Sequence, residues 1–80
     1  MQDKAVRGRL TALNTCHEGS DEVHLTARLV RRSGRGRVRV SAHGEERVAM
    51  VMGFADAGEV VLRGEMTPGG TLQVIDARSA

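Results

Sequence analysis

Five arginines fall within ten residues at 31–40, in the stretch RRSGRGRVRV. A guanidinium is a planar fork of N–H donors that meets phosphate or carboxylate through two hydrogen bonds and stacks on bases, so this cluster suits anion recognition. The other residues with chemical potential are Cys16 and His17, with His24 and His43 farther along. A thiol and three imidazoles are the right types for zinc, but no paired CxxC or HxxxH spacing joins them, and no metal site is expected. Cys16 and His17 also fail as a nucleophile and its base. Neighbours in an extended segment project to opposite sides, and no third group is identifiable to orient the imidazole. The glycines of 34–36 and 68–70 lie in turns rather than between a strand and a helix, so neither stretch cradles a phosphate. No catalytic residue, no cofactor and no enzymatic activity are expected.

Charge is unevenly spread behind a formal net charge of +2. Residues 23–44 hold six of the twelve basic residues and no acid, while the segments on either side are net acidic. A basic block of this kind points to an acidic partner, either nucleic acid or protein. Phe54 is the only aromatic residue, so the core must be built from Val, Leu, Met and Ala, which bury less area each than aromatic rings. Eighty residues suit one domain over 1–80, and a small aliphatic core favours self-association into a homo-oligomer. Cys16 is alone, so no internal disulfide forms. The start, MQDKAVRGRL, has no apolar run of the secretory type. The longest apolar run, VAMVMGFA at 48–55, is far too short to span a bilayer. A cytoplasmic protein with no membrane partner is expected.

Alternation with period two runs through most of the chain and predicts half-buried strands. Strands are expected near 5–13, 22–32, 37–42, 47–53, 59–66 and 71–77. Their inward residues are Val6, Gly8, Leu10 and Ala12; Val23, Leu25, Ala27 and Leu29; Val38, Val40 and Ala42; Val48, Met50 and Met52; Val60, Leu62, Gly64 and Met66; Leu72 and Val74. Turn chemistry separates them at NTCHEGSD, SGRG, HGEE, DAG and TPGG. The segment 45–57 admits a second reading, as a short helix, because Glu, Arg, Ala and Met favour one. The fold class is all-β, a small five- to six-stranded barrel with at most one short helix. Gly8 and Gly64 on inward positions mark sharp bends of a strongly coiled, closed sheet.

AVRGRLTAL near the start, with AGEVVLRGEMTPGGTLQVIDA at 57–77, resembles the OB-fold. That fold is a five-stranded Greek-key barrel with a glycine-kinked first strand and a late G-x-V-x-φ-x-G strand before a Gly-turned final hairpin. The resemblance implies that the face formed by the second and third strands is where an oligonucleotide lies.

The opening arginine stretch then reads as a hairpin tip. Pairing Leu29 with Val40 puts Ala27 opposite Ala42, and on the outer face Arg32 opposite Arg37, Val30 opposite Arg39 and Arg28 opposite Ser41. Residues 33–36 remain as a four-residue loop. Pairing Leu10 with Leu25 brings Arg7 opposite Arg28. Arg7, Arg9, Arg28, Arg32, Arg35, Arg37 and Arg39 are the candidate contact residues. Like charges crowded on one face are easier to explain where an anion sits. Two functions fit. One is nucleic-acid binding, to DNA or RNA, through the arginine face and hairpin. The other is a protein-interaction module, an accessory subunit, adaptor or phage-type inhibitor, docking its basic hairpin on an acidic partner. A third reading makes the arginines a solvated edge that prevents sheet-to-sheet aggregation.

Overall fold

A computed structural model describes residues 2–18, 22–31 and 36–80. Five strands and one helix follow in the order β1 (Gln2–Glu18), β2 (Glu22–Arg31), β3 (Arg37–His43), α1 (Glu45–Gly53), β4 (Glu59–Met66) and β5 (Thr71–Ser79). The strands close a barrel in the order β1-β2-β3-β5-β4, with β1 also paired to β4. This is the all-β small barrel with one short helix that the alternation predicts, and it is compatible with an OB-like architecture. Every pairing is antiparallel except β3 with β5, which is parallel and only three residue pairs long.

Closure depends on β1, which at 17 residues is long enough to serve two neighbours. Its N-terminal part pairs with β4 and its C-terminal part with β2, and Gly8 is paired on both sides, to Val60 and to Arg31. A strand shared in this way must bend sharply. At Gly8 a Cβ would overlap the Val30 carbonyl, and at Gly64 it would overlap the Gln73 carbonyl. Only a residue without a side chain permits backbones to approach so closely. Gly64 also sits where the β4–β5 register shifts by one residue.

The core is aliphatic throughout. Leu25, Leu29, Val40, Val51, Val60, Leu62, Leu72 and Val74 are fully enclosed, with Val6, Leu10, Ala27, Ala42 and Val48 around them. Inward positions expected on β1, except Ala12, and on β2, β3, β4 and β5 therefore hold, with Val23, Val38 and Met66 half-buried.

Segment 45–53 is a helix, not the strand that the Val48, Met50, Met52 alternation suggests. Val48 and Val51 are its buried residues, a spacing of three that turns both toward the barrel, whereas Met52 is 48% exposed. Gly44, at φ 93°, ends β3, and Glu45 and Glu46 place negative charge in the first helical turn, where the helix dipole favours it. The Val48 amide then donates to the Gly44 carbonyl at 3.0 Å. A short apolar run fits both periods, and packing against the barrel end decides between them.

Three further corrections concern β1 and β3. Ala12 points out, not in: a bulge between Thr11 and Asn14 holds it at φ 54°, and Leu13 packs against the core beside it. Ser41, expected outside, is buried because it lies in the short seam with Thr26 on one side and Gln73 on the other. The registers also differ from expectation by even numbers. Leu29 pairs with Val38, Ala27 with Val40 and Leu25 with Ala42, so Arg28 faces Arg39 and Arg37 faces Val30. Leu10 pairs with Leu29, so Thr11 faces Arg28, and Arg7 pairs with Val61 of β4. A two-residue slip keeps each side chain on its own face, and so alternation alone does not select among such registers. The expected pairing of Arg37 with Arg32 is replaced by its pairing with Val30; the expected loop at 33–36 falls outside the described residues except for Gly36, whose carbonyl accepts from the Arg31 amide at 3.1 Å.

The glycine contacts predict a clear contrast. Gly64→Ala should lower the free energy of unfolding by about 1–3 kcal/mol or more, since backbone must move to admit a methyl group. Gly53→Ala, where a Cβ meets nothing within 4 Å, should raise it by about 0.4–1 kcal/mol. Urea unfolding of the two variants, compared at equal slope, checks both signs.

Candidate nucleic-acid interface

Registers across β1, β2 and β3 place the outward side chains in four rows. The first row is Arg9, Val30 and Arg37. The second is Thr11, Arg28 and Arg39, extended by Thr71 of β5. The third is Asn14, Thr26 and Ser41, extended by Gln73, and the fourth is Cys16, His24 and His43. Successive rows lie two residues apart along β2 and β3, roughly 6.5–7 Å, and on β1 as well except across the bulge, where Thr11 and Asn14 are three apart. One face therefore carries cations at one end, hydroxyl and amide groups in its middle, and a thiol with two imidazoles at the other.

The bulge in β1 shapes this face. With Ala12 turned out at positive φ, an open depression of about 420 Å³ forms, lined by Ala12, Asn14, Thr26, Ala27, Arg28 and Arg39. Its floor is small and apolar and its rim supplies hydrogen-bonding groups and two guanidiniums. A second depression, of about 200 Å³, lies between β1, β4 and β5 and is lined by Ala5, Val61, Arg63, Asp76, Ala77 and Arg78. Charges of both signs border that one, and Arg63 is tied to Asp3 at 3.1 Å.

Of the seven arginines singled out from the sequence, Arg9, Arg28, Arg37 and Arg39 share the outer face of β1–β3 and are exposed. Among the described residues none of these four makes an ion pair. Arg7 differs. Its Nε lies 2.8 Å from Oε1 of Glu59 on β4, which draws it away from the other four and partly neutralises it. Arg32 and Arg35 lie outside the described residues. Thr11, Thr26 and Ser41 share the outward side expected of them, Ser41 buried within it, whereas Asn14 and Gln73 join the face only because the registers place them there. Glu59 was invisible as a counter-charge for the same reason: the pairing of β1 with β4 joins residues some fifty positions apart.

Arg28 directly opposite Arg39 is the unusual feature. In a sheet, like charges face to face are destabilising, and here Asn14, Thr26 and Thr71 surround them instead of carboxylates. Comparison with family models, with curated proteins and with solved structures finds no match to this chain. The reading of the face accordingly rests on its own chemistry.

Two substitutions test that chemistry through stability. Arg39→Thr should stabilise the barrel by a few tenths to about 1 kcal/mol, because it removes the repulsion across β2–β3 and inserts a good strand former. Glu59→Gln should cost less than about 1 kcal/mol, as the ion pair with Arg7 is solvent-exposed. Thermal unfolding at low and high salt checks both: added salt should erase the Glu59→Gln cost and the repulsive part of the Arg39→Thr gain, leaving the strand-propensity part.

Proposed function

We propose that this chain is a small non-enzymatic nucleic-acid-binding protein of the OB type, which grips the sugar-phosphate backbone on the outer face of β1–β3. The single observation that carries this reading is the cluster of Arg9, Arg28, Arg37 and Arg39. They stand on one face, Arg28 and Arg39 opposed to each other and lining an open depression, and none of the four makes an ion pair among the described residues. Phosphate oxygens spaced along a polynucleotide relieve that repulsion and accept the guanidinium hydrogen bonds. The strand order β1-β2-β3-β5-β4, with α1 between β3 and β4, supports the OB reading.

The mode of binding follows from what the face contains. Phe54, the only aromatic residue, is half-buried at the end of α1 and packs against the core. Base stacking on aromatic platforms, worth about 1–3 kcal/mol per base in single-strand binders, has no Phe, Tyr or Trp on this face to perform it. Contacts are instead made by arginines to phosphates and by Asn14, Thr26 and Thr11 to nearby polar groups. Such binding tolerates sequence changes and falls steeply with salt.

The test is fluorescence anisotropy with single-stranded DNA, single-stranded RNA and duplex DNA at two or more salt concentrations. The double substitution Arg28→Ala/Arg39→Ala should weaken binding uniformly across sequences. It should also flatten the slope of log K against log salt by about 1.4 for single strands or about 1.8 for duplex. Absence of binding at low salt, or binding indifferent to the two substitutions, sinks the proposal. Capture of an acidic protein that is lost on the same double substitution would replace it with the interaction-module reading.

A further inference from the structure

Cys16, His24 and His43 come from three different strands and are separated in sequence by 7 and 18 intervening residues. The register nevertheless makes them direct neighbours: Cys16 is the partner of His24 on β1–β2, and His24 is the partner of His43 on β2–β3. All three side chains belong to the outer face. Cys16 is exposed with its thiol free, and the two imidazole rings lie 5.8 Å apart between centres, with planes 31° from parallel. Two imidazoles that share a tetrahedral zinc, each nitrogen about 2.0–2.1 Å from the metal, have ring centres roughly 5 Å apart. The pair therefore stands within about 1 Å of ligating separation, and a thiol occupies the next position in the row.

We propose that Cys16, His24 and His43 bind one divalent transition-metal ion of the zinc type. A thiolate with two imidazoles is a donor set suited to Zn²⁺, Co²⁺ or copper and unsuited to Mg²⁺ or Ca²⁺, which require oxygen. Three protein ligands leave one coordination position of a tetrahedral ion to water. As placed, no three His, Cys, Asp or Glu side chains among the described residues converge on one point. Binding thus needs side chains in this row to turn; Cys16 and His43 are exposed, and an exposed side chain moves between staggered rotamers. As the sulfur–metal bond forms, the thiol proton passes to solvent and one metal-bound water leaves. Arg28 and Arg39 lie two rows away on the same face and oppose the cation, while Glu22, two residues from His24 on the same side of β2, favours it.

The metal-free, reduced full-length chain is titrated with Co²⁺ and then with Zn²⁺, in the absence of nucleic acid, so the outcome is independent of the proposed function. Expected are a thiolate-to-cobalt charge-transfer band in the near ultraviolet and visible bands of four-coordinate intensity. They should saturate at one cobalt per chain, bleach on adding zinc, and be accompanied by proton release. Cys16→Ser should abolish the charge-transfer band. His24→Ala and His43→Ala should each weaken binding by roughly tenfold or more, a loss that even outer-shell partners of a metal can cause. His17→Ala should change nothing, although His17 adjoins Cys16 in the chain, because its partner is Val23 and it faces the other side. Circular dichroism confirms that each variant is folded. No charge-transfer band at equimolar cobalt overturns the proposal. So does saturation at one metal per two chains, or loss of binding with His17→Ala but not with the other two histidine variants.

Discussion

Two close backbone approaches, Gly8 against Val30 and Gly64 against Gln73, are the constraint from which the rest of the barrel follows. Where a Cβ is absent, β1 bends enough to pair with β2 and β4 at once, and β4 bends with β5. Five strands then enclose a volume that Val, Leu and Ala side chains fill without an aromatic ring. The remaining opening at the barrel end takes Val48 and Val51 from α1. An 80-residue chain has little apolar area to bury, and closing the sheet on itself buries one complete face while leaving few exposed edges.

The outer face is a by-product of the same geometry. Inward positions are occupied by aliphatic groups, so the arginines have only the outside available. The registers that satisfy the core set Arg28 against Arg39. Repulsion there is a local cost of a few tenths of a kcal/mol, small beside the roughly 1.5–3 kcal/mol that each buried Leu or Val contributes. The core therefore holds the two guanidiniums at a separation they would not choose alone. On β4 the same logic has a different outcome: Glu59 lies within reach of Arg7, and the pair neutralises itself.

Faces were legible in the sequence and registers were not. Alternation assigned Val6, Leu10, Leu25, Leu29, Leu62 and Val74 to the inside correctly, since a residue's face depends on its parity along its own strand. Which residue lies opposite which depends on loop length and bulges, and displacement by two leaves the pattern unchanged. Hence Arg28 was expected beside Ser41 and stands beside Arg39, and Arg7 was expected on β2 and is committed to β4. Ala12 defeated the alternation because Ala has no conspicuous preference for positive φ, unlike Gly or Asn, that would flag a bulge. The helix at 45–53 was recoverable only as an alternative, because Val48, Met50 and Met52 satisfy one period while Val48 and Val51 satisfy the other. The arginines of the face could be named from composition and charge, and Thr11, Thr26 and Ser41 from parity; Asn14, which follows the bulge, could not.

The parallel contact between β3 and β5 is the shortest seam in the barrel, three residue pairs around Val40 and Leu72. It is also formed between segments about thirty residues apart, across the whole of α1 and β4, so its closure carries a larger loop-entropy cost than a hairpin does. Seams of few hydrogen bonds open locally at lower free energy than the strands beside them. Amides of residues 39–41 and 71–73 are accordingly expected to exchange with solvent sooner than those of the longer pairings beside them. Because Arg39 and Thr71 sit on opposite lips of that seam, any opening of it would widen the arginine face, and a bound polyanion bridging the lips would act as a clasp on the closed barrel.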